Sequence, residues 1–187
     1  MAVPPADREN PGMTAADTPP GLRARVPHED DHFAVQLVLR EWWDGMNSPD
    51  QVRERQLLLP RLFFQHFTPG SRVLETVDGT LVAFLVGFLS DTDPNSAYIH
   101  FVGVRPDHRR AGLASWLYGA FFAYAREHDR RWVHAITSPA NRRSLAFHTD
   151  LGFTIDRRDT AVDGVPVHPD YDGPGIARVT FTRDLLG

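Results

Sequence analysis

The sequence predicts a mixed α/β fold, a sheet with helices packed against it. Two observations indicate this fold class. Between residues 71 and 104, apolar and β-branched residues form strand-like runs separated by turn signals. Beyond residue 112 the spacing of apolar residues becomes helical, i, i+3, i+4, at Leu113, Trp116, Leu117, Ala120, Phe121 and Tyr124. With 42% hydrophobic and 24% charged residues, a chain of 187 residues suits one domain.

The N-terminal half predicts a short strand, helices and a hairpin. Residues 22–26 alternate as a strand, and residues 30–43 read as an amphipathic helix that begins at acidic residues. A second helical segment covers residues 48–70, and Pro60 breaks or kinks it. Strands at 71–76 and 80–89 are joined by Asp78-Gly79, a strong hairpin signal.

In the C-terminal half, strands and helices alternate. Residues 97–104 predict a strand, and the helix that starts at Leu113 follows it. We expect further strands at 132–136, 153–155 and 176–181, a helix at 141–151 that ends at Gly152, and a loop at 165–175.

The first residues differ from the rest in composition. Residues 1–21 are rich in Pro, Ala, Asp and Gly, so we expect a disordered N-terminal tail followed by a single domain over residues 22–187. The start lacks the apolar core of a signal peptide, and no stretch approaches the roughly 18 apolar residues that span a bilayer. These features predict a cytoplasmic protein with no membrane partner.

Charge and cysteine content exclude several function classes. The formal net charge is -4 and all 20 positive residues are Arg, which makes nucleic acid an unlikely partner. Arg can still hold a small phosphorylated ligand, since its guanidinium pairs well with phosphate oxygens. There is no Cys, which excludes disulfides, thiolate metal sites and a cysteine nucleophile.

One segment has the pattern of a pyrophosphate site: a strand, a turn, a glycine-bearing loop and a helix start. Unpaired N–H groups and the helix dipole favour an anion there, and Gly112 leaves room for one. The P-loop motif is excluded because it requires Lys. The dinucleotide motif Gly-x-Gly-x-x-Gly fails as well, since Ala114 and Leu117 stand where glycines belong.

Two motifs resemble those of the GNAT superfamily of N-acetyltransferases. The first, Val-x-Pro-x-x-Arg-x-x-Gly-x-Gly/Ala, is matched by Val104-Arg105-Pro106-Asp107-His108-Arg109-Arg110-Ala111-Gly112-Leu113-Ala114. The second, an Asn followed by a Ser, an aromatic pair and Leu-Gly-Phe, is matched by residues 141–153. The resemblance implies a mainly antiparallel sheet with a splayed pair of strands, flanked by helices, and acetyl-CoA as the acyl donor without a metal.

The resemblance also implies which residues contact the cofactor. The backbone of the strand at Val102 and Val104 would pair with the pantetheine arm, Asn141 would hydrogen-bond it and Phe147 would pack beside it. Core packing is the alternative role for Phe147. The pyrophosphate would lie against the loop and helix start, where the contributing residues are Arg109, Arg110, Ala111, Gly112 and Ala114.

The catalytic residues are less well defined. His148 stands where the family often has the Tyr that protonates the departing thiolate, and His can donate a proton near neutral pH. A purely structural His is the alternative. For the general base, Tyr98 and His100 share a face of the strand. Acidic alternatives are Glu41, Asp44 and Glu75.

The activity that follows is an acyl-CoA-dependent N-acyltransferase, in which a primary amine attacks the thioester directly in a ternary complex. The acceptor is a small molecule or peptide. A non-catalytic acyl-CoA sensor on the same fold and an acylating toxin acting on charged tRNA are the alternatives. His168 and Asp170 are too few to predict a metal site. A homodimer is possible, as in many relatives.

Overall fold

The computed structural model describes residues 18–43 and 48–186. The expected tail therefore lies largely outside the described residues, as does Asp44. The helices are α1 (Asp31–Glu41), α2 (Pro49–Leu57), α3 (Leu62–His66), α4 (Leu113–Glu127) and α5 (Arg142–Asp150). The strands are β1 (Leu22–Arg25), β2 (Arg72–Thr76), β3 (Leu81–Leu89), β4 (Ser96–Val104), β5 (Trp132–Thr137), β6 (Thr154–Ile155), β7 (Ala161–Val162), β8 (Val165–Pro166) and β9 (Val179–Asp184).

Seven of these strands form one sheet in the order β1-β2-β3-β4-β5-β9-β6. Every neighbouring pair in it is antiparallel except β4 and β5, which are parallel. The α4 helix connects these two parallel strands, as a crossover requires. The predicted mixed, mainly antiparallel sheet flanked by helices is confirmed.

The parallel strands stay together only at their beginnings. Residues Ser96, Ala97 and Tyr98 of β4 pair with residues 132–134 of β5. Beyond Tyr98, β4 continues to pair with β3 as far as Val104, while β5 continues with β9 as far as Thr137. The two strands therefore part and leave a V-shaped opening between them, so the predicted splayed pair is confirmed.

A β-bulge interrupts β4 just beyond this point. Val86 of β3 pairs with Phe101 and Gly87 pairs with Ile99, so His100 is the extra residue. His100 and Phe101 consequently both face the helices α1 to α3, while Val102 packs on the opposite, α4 side of the sheet. Tyr98 and His100 share a face through ordinary strand alternation, and the bulge adds Phe101 to that face.

Two apolar clusters hold the layers together. On one face, Leu117 and Phe121 of α4 are buried against Ala97, Ile99 and Val133 of the sheet, among other residues. On the other, Val35, Leu39 and Phe64 of the first helices cover Phe84 and Val86 of β3. Because helices cover both faces of β3, the sequence of this strand is almost entirely apolar.

Two boundaries in the C-terminal third were predicted wrongly. Residues 165–175 are not all loop, since β8 pairs with β7 around Asp163-Gly164, both of which have positive φ. An Asp-Gly pair is itself a hairpin signal, and here it forms the turn between β7 and β8. The last strand runs over Val179–Asp184 rather than 176–181, because its register is set by pairing with β5.

No helix in the described part of the chain combines the length and apolar character that crossing a membrane requires.

Candidate active site

The loop after β4 has an unusual backbone conformation. A single 3-10 turn covers Pro106–His108, and then Arg110 and Gly112 adopt left-handed conformations with φ of 66° and 77°. For Arg110 this conformation is uncommon, and such positions concentrate at functional sites. Gly112 is the N-cap of α4, and no side chain hydrogen-bonds to this helix end. A Cβ on Gly112 would meet no described atom within 4 Å.

An arginine-lined depression of about 680 Å³ lies at this loop, bordered by Pro106, Arg109, Arg110 and Arg143. Arg109 fastens the loop from within, because its guanidinium donates hydrogen bonds to the carbonyl oxygens of Val104 (3.3 Å) and Trp42. Uncapped N–H groups and guanidinium groups together suit the two phosphates of a pyrophosphate. Arg143 was not predicted, although it lies within the second sequence motif.

Of the predicted pantetheine residues, Val102 and Val104 lie on β4 where it parts from β5, whereas Asn141 and Phe147 belong to α5 and its N-cap. Alternate backbone N–H and C=O groups of β4 beyond Tyr98, including those near Val102 and Val104, have no partner on β5. Asn141 caps α5, since its Oδ1 accepts a hydrogen bond from the Ser144 N–H at 3.1 Å. Phe147 is half-buried and packs edge-to-face on Tyr118, with 5.2 Å between ring centroids.

His148 lies in the core rather than on a surface. Its side chain is buried and stacks on Phe181, with ring centroids 4.5 Å apart. Burial lowers the pKa of His148, which favours the neutral ring. Nδ1–H then donates to the Ser144 carbonyl (2.8 Å), and Nε2 accepts from the Tyr118 hydroxyl (3.0 Å). Tyr118 is a partner that the sequence did not predict.

Tyr98 and His100 lie together on the opposite side of the sheet, with ring centroids 6.3 Å apart. The Nε2–H of His100 donates to the Leu58 carbonyl at 2.5 Å, and its ring stacks on Phe63 at 4.5 Å. Burial lowers the pKa of His100, so the ring is neutral near pH 7 and Nδ1 has a free lone pair. Burial, assisted by Tyr171, raises the pKa of Tyr98, whose hydroxyl therefore keeps its proton.

The acidic alternatives occupy other positions. Glu75 is paired with Arg25 at 2.9 Å on the β1–β2 edge, and Glu41 is exposed at the end of α1. Asp170 accepts a hydrogen bond from the Gly175 N–H at 2.6 Å and therefore stabilises its own loop. Within residues 18–43 and 48–186, no three His, Asp or Glu side chains are grouped as metal ligands.

A cavity of about 440 Å³ lies where β4 and β5 part. Its walls come from Ala97 and Tyr98 of β4, residues 134–136 of β5 and Thr180 and Phe181 of β9. Phe88, Tyr171 and several charged side chains complete it. This volume is within the range of small-ligand sites. The structure therefore brings Tyr98 to an open cavity at the apex of the V.

The fold and the loop define a class of protein with a split sheet and an uncapped helix N-terminus beside the split. Residues 35–153 match the family described as "Acetyltransferase (GNAT) family". This match covers more than half of the chain, which therefore belongs to the GNAT family. The resemblance predicted from the two motifs is confirmed.

Individual relatives are more distant. The chain is 30% identical over 78 residues to an L-2,4-diaminobutyric acid acetyltransferase of Nocardia farcinica, a match that covers 42% of this chain and 40% of that protein. The chain thus matches less than half the length of this curated relative.

Solved structures match over almost the whole domain. Ard1 from Thermoplasma volcanium superposes with a TM-score of 0.66 at 19% identity, covering 89% of this chain and 99% of that one. The diaminobutyrate acetyltransferase EctA from Paenibacillus lautus, solved with L-2,4-diaminobutyric acid and coenzyme A, gives 0.60 at 20% identity, covering 89% and 96%. At such identities these likenesses concern the fold.

Proposed function

We propose that this protein is an N-acetyltransferase that moves an acetyl group from acetyl-CoA to a primary amine of a small molecule or peptide. The single observation that carries this proposal is the loop at Arg110 and Gly112, with its left-handed backbone, open space and uncapped helix start. Its position beside the opening between β4 and β5 gives the rest of a long, extended cofactor a place to lie.

The residues present fit acetyl-CoA. The N–H groups from Arg110 to Ala114, with Ala111 and Gly112 between them, would hold the pyrophosphate, and Arg109 would keep the loop in shape. The exposed β4 backbone near Val102 and Val104 would bind the pantetheine arm, with Asn141 and Phe147 on its other side. Acetyl-CoA supplies the acetyl group as an activated thioester.

The acceptor amine must lose a proton to become a nucleophile. His100 suits this task in our proposal, because its Nε2–H is committed to Leu58 and its Nδ1 lone pair remains available. Tyr98, which keeps its proton, would orient the amine or a water between them. The amine nitrogen then bonds to the carbonyl carbon, the bond from carbon to sulfur breaks, and the sulfur leaves as a thiolate. The nitrogen gives up its second proton to water, and the thiolate takes a proton from water. With no Cys in the chain, this transfer is direct.

The general-acid role of His148 stays a prediction. The burial of His148 and its two hydrogen bonds favour a structural contribution, because its only ring proton is donated to Ser144. A thiolate can leave without an enzymic acid, so the proposal does not depend on His148. The cytoplasmic location and the homodimer also stay predictions.

The proposed function is tested by free-thiol release from acetyl-CoA with a panel of amines: diamino acids, polyamines, amino sugars and peptide N-termini. We expect release with at least one class. Absence of release with every class, while acetyl-CoA still raises the melting temperature, would contradict the proposed activity and favour the sensor reading.

The cofactor loop is tested separately by Gly112→Glu. We expect this variant to lose acetyl-CoA binding in calorimetry, because a carboxylate would occupy the anion position and repel the phosphates. Gly79→Glu is the matched control, since Gly79 also has a positive φ of 84° and open space, but lies in the β2–β3 turn. Equal affinity of the two variants would refute the assignment of the loop.

A further inference from the structure

A chain of hydrogen bonds crosses the wall of the cavity at the apex of the V. His134 lies at its centre, with Nε2 3.1 Å from Ser96 Oγ and Nδ1 3.0 Å from Thr182 Oγ1. Ser96 Oγ donates to Asp93 Oδ2 at 2.5 Å, and Thr182 Oγ1 donates to Asp156 Oδ1 at 2.9 Å. The five residues come from β4, β5, β9 and two adjoining loops.

Both carboxylates of this hydrogen-bond chain are engaged within the wall. Asp93 accepts the hydroxyl proton of Ser96, and Asp156 accepts that of Thr182. Asp93 also accepts the Asn95 N–H at 3.0 Å.

Two other lining side chains have unused hydrogen-bonding capacity. Thr180 is only 8% exposed, and its Oγ1 is buried without a hydrogen-bond partner. A buried hydroxyl without a partner is unfavourable and calls for an explanation, such as a ligand. The guanidinium of Arg158 lines the same cavity and makes no hydrogen bond or ion pair with any described residue.

Arg158 and Thr180 both line this cavity, and a guanidinium together with an unpartnered hydroxyl matches the hydrogen-bonding needs of a carboxylate. Aromatic side chains form another part of the lining, at Phe88, Tyr98 and Tyr171, and suit an aliphatic chain. The cavity adjoins the point where β4 and β5 part, where the amine would have to be presented. A compact molecule with an amine at one end and a carboxylate near the other fits these three features.

We propose that this cavity binds the carboxylate of the acceptor through Arg158 and Thr180, and that the protein therefore prefers amino acids to the corresponding amines without a carboxylate. This inference rests on the proposed function, whose acceptor class it narrows. Arg158 and Thr180 are specificity-determining residues in this account, and neither moves a proton.

The test compares acceptors that differ only in the carboxylate: 2,4-diaminobutyrate with 1,3-diaminopropane, ornithine with putrescine, and lysine with cadaverine. Thiol release by the full chain gives kcat/KM for each. We expect at least one amino acid to exceed its partner by about tenfold or more, as a charge-assisted hydrogen bond of about 1.5–3 kcal/mol implies. Calorimetric titration of the same compounds, with coenzyme A present, gives a readout that does not need turnover.

Three variants locate the effect. Arg158→Gln and the nearly isosteric Thr180→Val should each reduce the preference, mainly by raising KM for the amino acid. Arg157→Gln is the matched control, because Arg157 is an exposed neighbour outside the cavity lining. It should keep the preference.

Equal kcat/KM within every pair would overturn the carboxylate site and leave the proposed function standing. A preference for the amino acid that survives Arg158→Gln would also overturn the carboxylate site. If no amine releases thiol, the proposed function fails. The calorimetric titrations with coenzyme A present then test the carboxylate site without turnover. Tighter binding of the amino acid that is lost in Arg158→Gln supports the site, whereas equal or absent binding overturns it.

Discussion

At the scale of single residues, the pairing of His148 with Tyr118 is the clearest case in which the role of a side chain depends on its neighbours. A histidine near the end of a helix is compatible with proton transfer. Here its ring is buried between Tyr118 and Phe181, and each of its nitrogens has a partner. Burial raises the pKa of Tyr118 and lowers that of His148, so the pair stays neutral and the hydroxyl donates to the ring.

This pairing predicts coupled effects on stability. Tyr118→Phe leaves Nε2 of His148 without its donor, and His148→Phe leaves the Tyr118 hydroxyl buried without a partner. Each single variant should lose about 1–3 kcal/mol of unfolding free energy. The double variant removes both polar groups and should lose less than the sum of the two. Urea unfolding of the four proteins measures this, and strictly additive losses would show that the hydrogen bond contributes nothing.

At the scale of elements, glycines show how tightly helix α4 and the sheet are packed. A Cβ on Gly87 of β3 would lie 2.5 Å from Cε2 of Phe121, so the helix rests directly on the strand backbone. Gly119 is on the exposed side of the same helix, and a Cβ there would meet no described atom within 4 Å. The close approach on one side keeps the start of α4, and hence the anion site, fixed against the sheet.

The same change at these two positions should therefore have opposite effects. Gly119→Ala should stabilise the protein by about 0.5–1 kcal/mol, since Gly in a helix interior is less favourable than Ala by that amount. Gly87→Ala should destabilise it by about 1–3 kcal/mol through overpacking against Phe121. Thermal and urea unfolding compare the two variants with the parent chain. A destabilising Gly119→Ala would show that this face of α4 is covered by something other than solvent.

At the scale of the whole molecule, the site is assembled from segments that are far apart in the chain. The cavity wall alone joins Ser96, His134, Asp156 and Thr182 through the order β4-β5-β9-β6. The half-buried His100 on one face of the sheet and the buried His148 on the other belong to the same folded unit. Their titration is consequently linked to global unfolding.

This linkage predicts that the protein loses stability in mild acid. Burial lowers the pKa of His100 and of His148 in the folded state, whereas the unfolded chain has His pKa values near about 6.5. Below that pH the unfolded state binds more protons, so the unfolding free energy falls as pH drops below about 6.5 and is fully present above it.

Urea unfolding at about pH 5, 6, 7 and 8, a range chosen to stay above most carboxyl titration, measures the effect. The Tyr118→Phe/His148→Phe variant is the control, since it lacks one of the two histidines and should show a shallower dependence. A flat profile for the parent chain would contradict the buried, neutral state of both rings.

Local patterns were sufficient for most of the elements and for the cofactor loop. The helical spacing after Leu113, the Asp78-Gly79 turn and the motif ending at Ala114 are each contained in a few consecutive residues. Their physical causes are equally local: side-chain period, left-handed backbone at glycine, and unpaired N–H groups at a helix start. The fold class followed from these patterns and the family from the two motifs, and the splayed pair of strands is what the resemblance to the family implied.

Only the tertiary structure decided the contacts between distant segments. The bulge at His100 depends on the register between β3 and β4, and the true bounds of β9 depend on its pairing with β5. The partners of His148, the chain through His134 and the unpaired hydroxyl of Thr180 likewise depend on which strands become neighbours. Hydrogen bonds and burial act over a few ångströms in space, and no pattern along the chain records which residues will meet at that distance.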